Sequence, residues 1–113
     1  MKRCIIEAKN FTKNIDDLLA NKRLLLEDFD ALKRSLVQNP EEGDLITGTG
    51  GIRKTRLKSS SKGKSGGFRV CYFDDKDAEE LFLILIYPKN EQENLTSDEK
   101  KALKELTNAI KKR

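Results

Sequence analysis

The 113-residue chain has no histidine and no tryptophan, a single methionine, two prolines and two cysteines. The missing histidine excludes Ser-His-Asp and Cys-His catalysis, paired-histidine ribonuclease chemistry and most zinc sites. Any proton transfer must therefore use Lys, Arg, Tyr, Asp or Glu. Cys4 and Cys71 lie far apart in apolar, strand-like runs. Two buried free thiols in a cytoplasmic protein are the expectation, not a disulfide or a metal site. No apolar run approaches the ~18 residues of a membrane span. The N-terminal run reaches Glu7 before any long apolar region, which argues against a signal peptide. Hydrophobic residues make up 36% and charged residues 37% of the chain. One domain over residues 1–113 with one modest core is expected.

What the chain does have is positive charge in one place. Leu45–Phe73 holds seven of the 23 Lys and Arg residues and none of the 19 Asp and Glu. The remainder carries 16 basic against 19 acidic residues, so the whole surplus of +4 originates in this stretch. A one-signed block in a mixed background usually faces a polyanion, and nucleic acid is the commonest.

The flanking sequence reads as a scaffold. Cys4–Ala8 is strand-like, and Asn10 or Thr12 is placed to cap a short helix ending near Asn21. Leu25, Phe29, Leu32 and Leu36 fall at i, i+4, i+7 and i+11, which predicts a second helix over 22–38 that ends before Pro40. Glu41–Gly51 reads as a glycine-rich connecting loop. Three strands are predicted over 52–58, 67–73 and 80–87, joined by a flexible Ser/Lys/Gly loop and by the acidic turn Asp74–Asp77. Leu81–Tyr87 is uniformly apolar, as a strand covered on both faces should be. Thr96 and Glu99 have capping-box spacing, and Leu103, Leu106 and Ile110 give a final helix one apolar stripe. The fold class predicted is α+β: an N-terminal strand and a helical hairpin on a small, mainly antiparallel twisted sheet, with a C-terminal helix.

Strand parity divides the basic block. Lys54, Arg56 and Lys58 share one strand face, opposite Arg53, Thr55 and Leu57. If Leu57, Phe68, Val70 and Tyr72 face the helices, Arg69 joins the cations on the other side, and Lys89 lies just beyond the last strand. Gly63-Lys64-Ser65 lacks the first glycine of a phosphate-binding loop, because position 58 is Lys58. Gly48-Thr49-Gly50-Gly51 likewise lacks the third glycine of G-x-G-x-x-G, because Arg53 holds that place. The aspartate groups read as solvated, and no metal or other cofactor is expected.

Five blocks carry a more specific signal: Asn39-Pro40, Gly43-Asp44-Leu45-Ile46, Gly48 to Lys54, Gly63 to Val70, and Ile86 to Glu91. In order and spacing they resemble the HigB branch of the RelE/ParE toxin superfamily. The resemblance implies the toxin of a type II toxin–antitoxin module that enters the ribosomal A site and cuts mRNA. Its partner would be a cognate antitoxin, HigA-like, with a helix-turn-helix DNA-binding domain. RelE-type toxins cleave with Lys and Arg in place of His. By resemblance the catalytic set is Lys54, Arg56, Arg69 and Lys89, with Arg69 on the scissile phosphate and Lys54 or Lys89 in proton transfer. RNA contacts are expected at Arg53, Lys58, Lys62, Lys64 and, by base stacking, Phe73. Arg56 stands where the family pattern places a lysine base, and Glu91–Leu95 has no catalytic tyrosine, so acid and base stay unassigned. Two other functions remain open on these residues: a ParE-like gyrase inhibitor, and a nucleic-acid-binding module without enzymatic activity.

Overall fold

Alternating apolar residues in the strands, and apolar stripes in the helices, produce an α+β fold in the computed structural model, which describes residues 2–59, 67–92 and 94–113. The elements are β1 (Cys4–Glu7), α1 (Lys9–Ala20), α2 (Leu26–Gln38), β2 (Asp44–Leu45), β3 (Arg53–Leu57), β4 (Phe68–Asp75), β5 (Glu80–Pro88) and α3 (Ser97–Lys111). The strands form one sheet in the order β1-β5-β4-β3-β2. β1 runs parallel to β5, and the other neighbours are antiparallel. None of the described helices is long and apolar enough to cross a membrane.

Two apolar layers cover the sheet. On one face Phe11, Ile15, Leu24, Phe29, Leu32 and Leu36 from the helical hairpin pack on Leu57, Phe68, Val70, Tyr72, Leu81 and Leu83. On the other, Leu103 and Ile110 of α3 pack on Ile52, Cys71, Phe73, Ile84 and Tyr87. Each large apolar side chain so buried contributes about 1.5–3 kcal/mol. A register shift at Cys71/Tyr72 places Ile84 opposite no single partner, and both Ile84 and Leu85 turn toward α3.

Several sequence expectations are corrected here. The first helix ends in a Schellman stop, with Lys22 at φ +58°, its amide on the Leu19 carbonyl and the Arg23 amide on the Leu18 carbonyl. This stop delays α2 to Leu26, so Leu25 stands at its N-cap and is exposed while Leu24 is buried; Phe29, Leu32 and Leu36 keep the expected stripe. Neither Asn10 nor Thr12 caps α1; Ala8 holds the N-cap position without a side-chain bond. The connecting loop contains a short strand, β2, on the sheet edge. On α3, Leu103 and Ile110 are buried as expected, but Thr107 is fully buried in place of Leu106, which is exposed. Thr107 fits there because its hydroxyl donates to the Leu103 carbonyl at 2.9 Å and its short side chain lets Gly50 approach. The acidic turn is not solvated throughout: β4 continues to Asp75, and Asp74 is half-buried in a pair with Arg3 at 2.7 Å. Cys4 is exposed, contrary to expectation, and Cys71 is buried.

One tyrosine ties the helical hairpin to the sheet. The hydroxyl of Tyr72 accepts from the Gly43 amide at 2.9 Å and donates to the Pro40 carbonyl at 2.8 Å. A Cβ at residue 43 would meet the Tyr72 ring at 3.0 Å and the Lys54 carbonyl at 2.9 Å, so only glycine allows this approach. Tyr72→Phe would leave a buried amide and carbonyl unpaired, and it should cost about 1–3 kcal/mol by urea denaturation. The thiols supply a second check. Burial pushes the Cys71 thiol up to about 12, partly offset by Lys54. In the native protein at mildly alkaline pH, Cys4 should react with a thiol reagent while Cys71 resists, and denaturant should release the second equivalent.

Candidate functional site

The basic residues belong to the sheet face that α3 covers only in part. Along β4, Phe68, Val70 and Tyr72 are buried toward the helical hairpin and Cys71 and Phe73 toward α3, so Arg69 is the only residue from Phe68 to Phe73 that is not buried. Its direct cross-strand partners are Arg56 on β3 and Tyr87 on β5. Lys54 stands one row further in, opposite Cys71. Arg56, Arg69 and Tyr87 therefore form one row across three strands, with Lys54 beside it. Lys58 follows β3, and the Lys89 amide donates to the Gly67 carbonyl at 3.0 Å, so both flank the same end of the sheet.

The closure of this end depends on Gly67. Its φ is +101°, and a Cβ there would lie 2.6 Å from the Leu57 carbonyl. A side chain would push β4 away from β3 where Arg56 and Arg69 face one another.

Like charges placed directly opposite each other are destabilising unless a partner offsets them. The ion pairs among the described residues use Arg3, Arg23, Lys33, Lys76 and Arg113 as their cations. Lys54, Arg56, Lys58, Arg69 and Lys89 enter none of these. Glu99, on the first turn of α3, is close enough to raise the Cys71 thiol, but its carboxylate is engaged by the Thr96 amide at 2.9 Å and Gln92 at 2.7 Å. Among the described residues the row is thus a set of cations that enter no ion pair, suited to hold phosphate oxygens.

Two expected contacts lie elsewhere. Arg53 points to the opposite face, as its parity required, and donates to the carbonyls of Gly43 at 2.7 Å and Glu41 at 3.3 Å. It braces the turn before β2 and does not join the row. Phe73 is only 7% exposed, packed beneath Lys111 and against Gly51, so no ring face is open for stacking. Lys62 and Lys64 lie outside the described residues. Tyr87 completes the row by register, but it is 6% exposed and belongs to the core under α3, so the core reading of its apolar surroundings holds. Strict alternation would set Tyr87 on the hairpin side with Leu81 and Leu83; the register shift at Cys71/Tyr72 moves it to the side of Arg69, so the row follows only from strand register.

A concavity of about 820 Å³ lies at the other end of the sheet. Glu41, Asp74, Asp75, Asp77, Lys76 and Arg113 are among its lining. Its mixed charges offer a nucleic acid no net attraction, and the row is preferred as the candidate site on charge and register.

Residues 5–113 match the family model described as the RelE toxin of the RelE/RelB toxin–antitoxin system. Among solved structures, the fold is similar to a free-state structure of the E. coli toxin RelE carrying two arginine-to-alanine substitutions. The TM-score is 0.56 at 18% sequence identity, over 82% of this chain and 90% of that one.

Proposed function

For this chain, which belongs to the RelE toxin family of toxin–antitoxin systems, we propose the activity of a ribosome-dependent mRNA endonuclease of the HigB branch. The observation that carries this reading is the Arg56–Arg69 pair, two guanidinium groups on adjacent strands that enter no ion pair among the described residues. Such a pair is costly in the free protein and favourable once a phosphodiester lies between them.

The reaction consistent with a chain lacking histidine is attack by the RNA's own 2′-hydroxyl. The 2′-oxygen forms a bond to the adjacent phosphorus, the 5′-oxygen leaves, and the products are a 2′,3′-cyclic phosphate and a 5′-hydroxyl end. Arg69, flanked by Arg56, holds the scissile phosphate and stabilises the negative charge that grows on its oxygens. Lys54 and Lys89 approach the row from two sides and are the candidates for removing the 2′ proton and returning one to the 5′-oxygen. Lys58 holds the RNA backbone beyond the cleavage point, and the loop residues Lys62 and Lys64 are assigned the same task from sequence. Arg56 serves as a charge, because guanidinium stays protonated and cannot act as the base.

On this reading the chain is a single toxin domain acting in the cytoplasm at the ribosomal A site. A co-expressed antitoxin, HigA-like with a helix-turn-helix domain, would restrain it.

Primer extension on mRNA after induction without antitoxin should show new 5′ ends inside translated codons. Intact transcripts accompanied by gyrase-linked DNA damage would instead indicate a ParE-like toxin. Arg69→Gln should abolish both toxicity and cleavage. Because it relieves a like-charge contact, it should also leave thermal stability unchanged or raise it, by about 0.2–1 kcal/mol. A fully toxic Arg69→Gln variant would remove Arg69 from the site.

A further inference from the structure

At the same end of the sheet as the basic row, the connector between α1 and α2 contacts the segments that follow β3 and β5. The Ser59 hydroxyl, two residues past β3, donates to the Arg23 carbonyl at 3.5 Å. The Arg23 guanidinium lies 3.9 Å from the Glu91 carboxylate, three residues past β5. Lys89 sits between Glu91 and the end of β5 and is bonded through its amide to Gly67 at the head of β4.

Arg23 is presented from a rigid turn. Lys22 takes the left-handed conformation that ends α1, the Arg23 amide is held by the Leu18 carbonyl at 2.9 Å, and Leu24 anchors the next position in the core. Its head group is not comparably fixed. The Arg23 side chain is 51% exposed and that of Glu91 64% exposed, and the pair is long. An exposed pair of this length contributes little and is readily exchanged. A phosphate oxygen is a stronger partner for the guanidinium fork than a distant carboxylate.

We infer that Arg23 is a further contact for the RNA phosphodiester backbone, and that Glu91 occupies it in the free protein and yields it to phosphate on binding. The inference rests on the RNA-directed reading above and extends it from the sheet to the helical connector. RNA leaving the Arg56–Arg69 row past Lys58 and Lys89 meets Arg23 next, with Lys22 exposed beside it. Glu91 is then a brake: it neutralises one cation of the track and repels the ligand.

The test uses the intact protein and two RNA sources. In the first arm, a short fluorescent single-stranded RNA with 2′-O-methyl sugars, which cannot be cut through a 2′-hydroxyl, is titrated against wild type, Arg23→Gln, Glu91→Gln and the double variant. Arg34→Gln, on α2, is the control for loss of one positive charge. In the second arm the same proteins are sedimented with mRNA-free ribosomes. Arg23→Gln should weaken binding several-fold beyond Arg34→Gln and lower the slope of log Kd against log salt by about 0.7. Glu91→Gln should tighten binding several-fold, and most of that gain should vanish in the double variant. Loss in the oligonucleotide arm assigns the contact to the message, and loss confined to ribosome sedimentation assigns it to ribosomal RNA. If Arg23→Gln matches Arg34→Gln in both arms, the inference fails. Arg69→Gln in the same titrations separates the two readings. If it weakens binding while Arg23→Gln does not, the basic row stands without the extension. If wild type binds neither RNA source in a salt-dependent way, both readings fall.

Discussion

Burial of β4 on both faces is the constraint on which the rest of the molecule depends. Its Phe68, Val70 and Tyr72 are committed to the helical hairpin and its Cys71 and Phe73 to α3. A strand so enclosed has room for charge only at its ends, because a buried charge without a partner is expensive. At one end stands Arg69. At the other stand Asp74 and Asp75, which are matched by Arg3 and Arg113. The two ends follow opposite rules, the acids neutralised within the fold and the arginine left for something outside it.

That asymmetry assigns separate tasks to the helices. The hairpin supplies most of the core and, through Tyr72, fixes the turn that leads into β2. The helix α3 closes the second face, held at its C-terminal end by the Lys111 ammonium on the Gly50 carbonyl at 2.9 Å and by Arg113 on Glu80 at 2.5 Å. Its first turn is stiffened by a capping box. The face it covers includes Cys71 and Phe73 but leaves Arg56 exposed and Arg69 half-buried. The cationic face expected from parity is therefore a strip at one end of the sheet, not a whole open surface. This confinement suits the phosphate-binding role proposed for the strip, since a rigid sheet holds the guanidinium groups in place in advance.

The surface cations divide by partner. Arg53, next to Lys54 in sequence, spends its guanidinium on two backbone carbonyls and is structural. Arg23, far from the basic stretch in sequence, reaches the same sheet end through the chain's turn after α1. Proximity along the chain and membership of the proposed site are thus separate properties here, and side-chain partners distinguish them.

The sequence by itself determined the element types, the alternation within each strand and the concentration of positive charge in one stretch, since these rest on local periodicity and composition. It also separated Arg53 from Lys54 and Arg56, because successive side chains on a strand must point to opposite faces. Tertiary structure decided which positions meet. The Arg56–Arg69–Tyr87 row depends on register between strands far apart in sequence, and no local pattern specifies register that closely. The burial of Phe73 required knowing where α3 lies. The exchange of Leu106 for Thr107 required the close approach of Gly50. The approach of Arg23 to Glu91 required a left-handed Lys22 to stop one helix and displace the start of the next. In each case the deciding energy is a contact between distant segments, and such contacts override local preference wherever packing leaves only one arrangement.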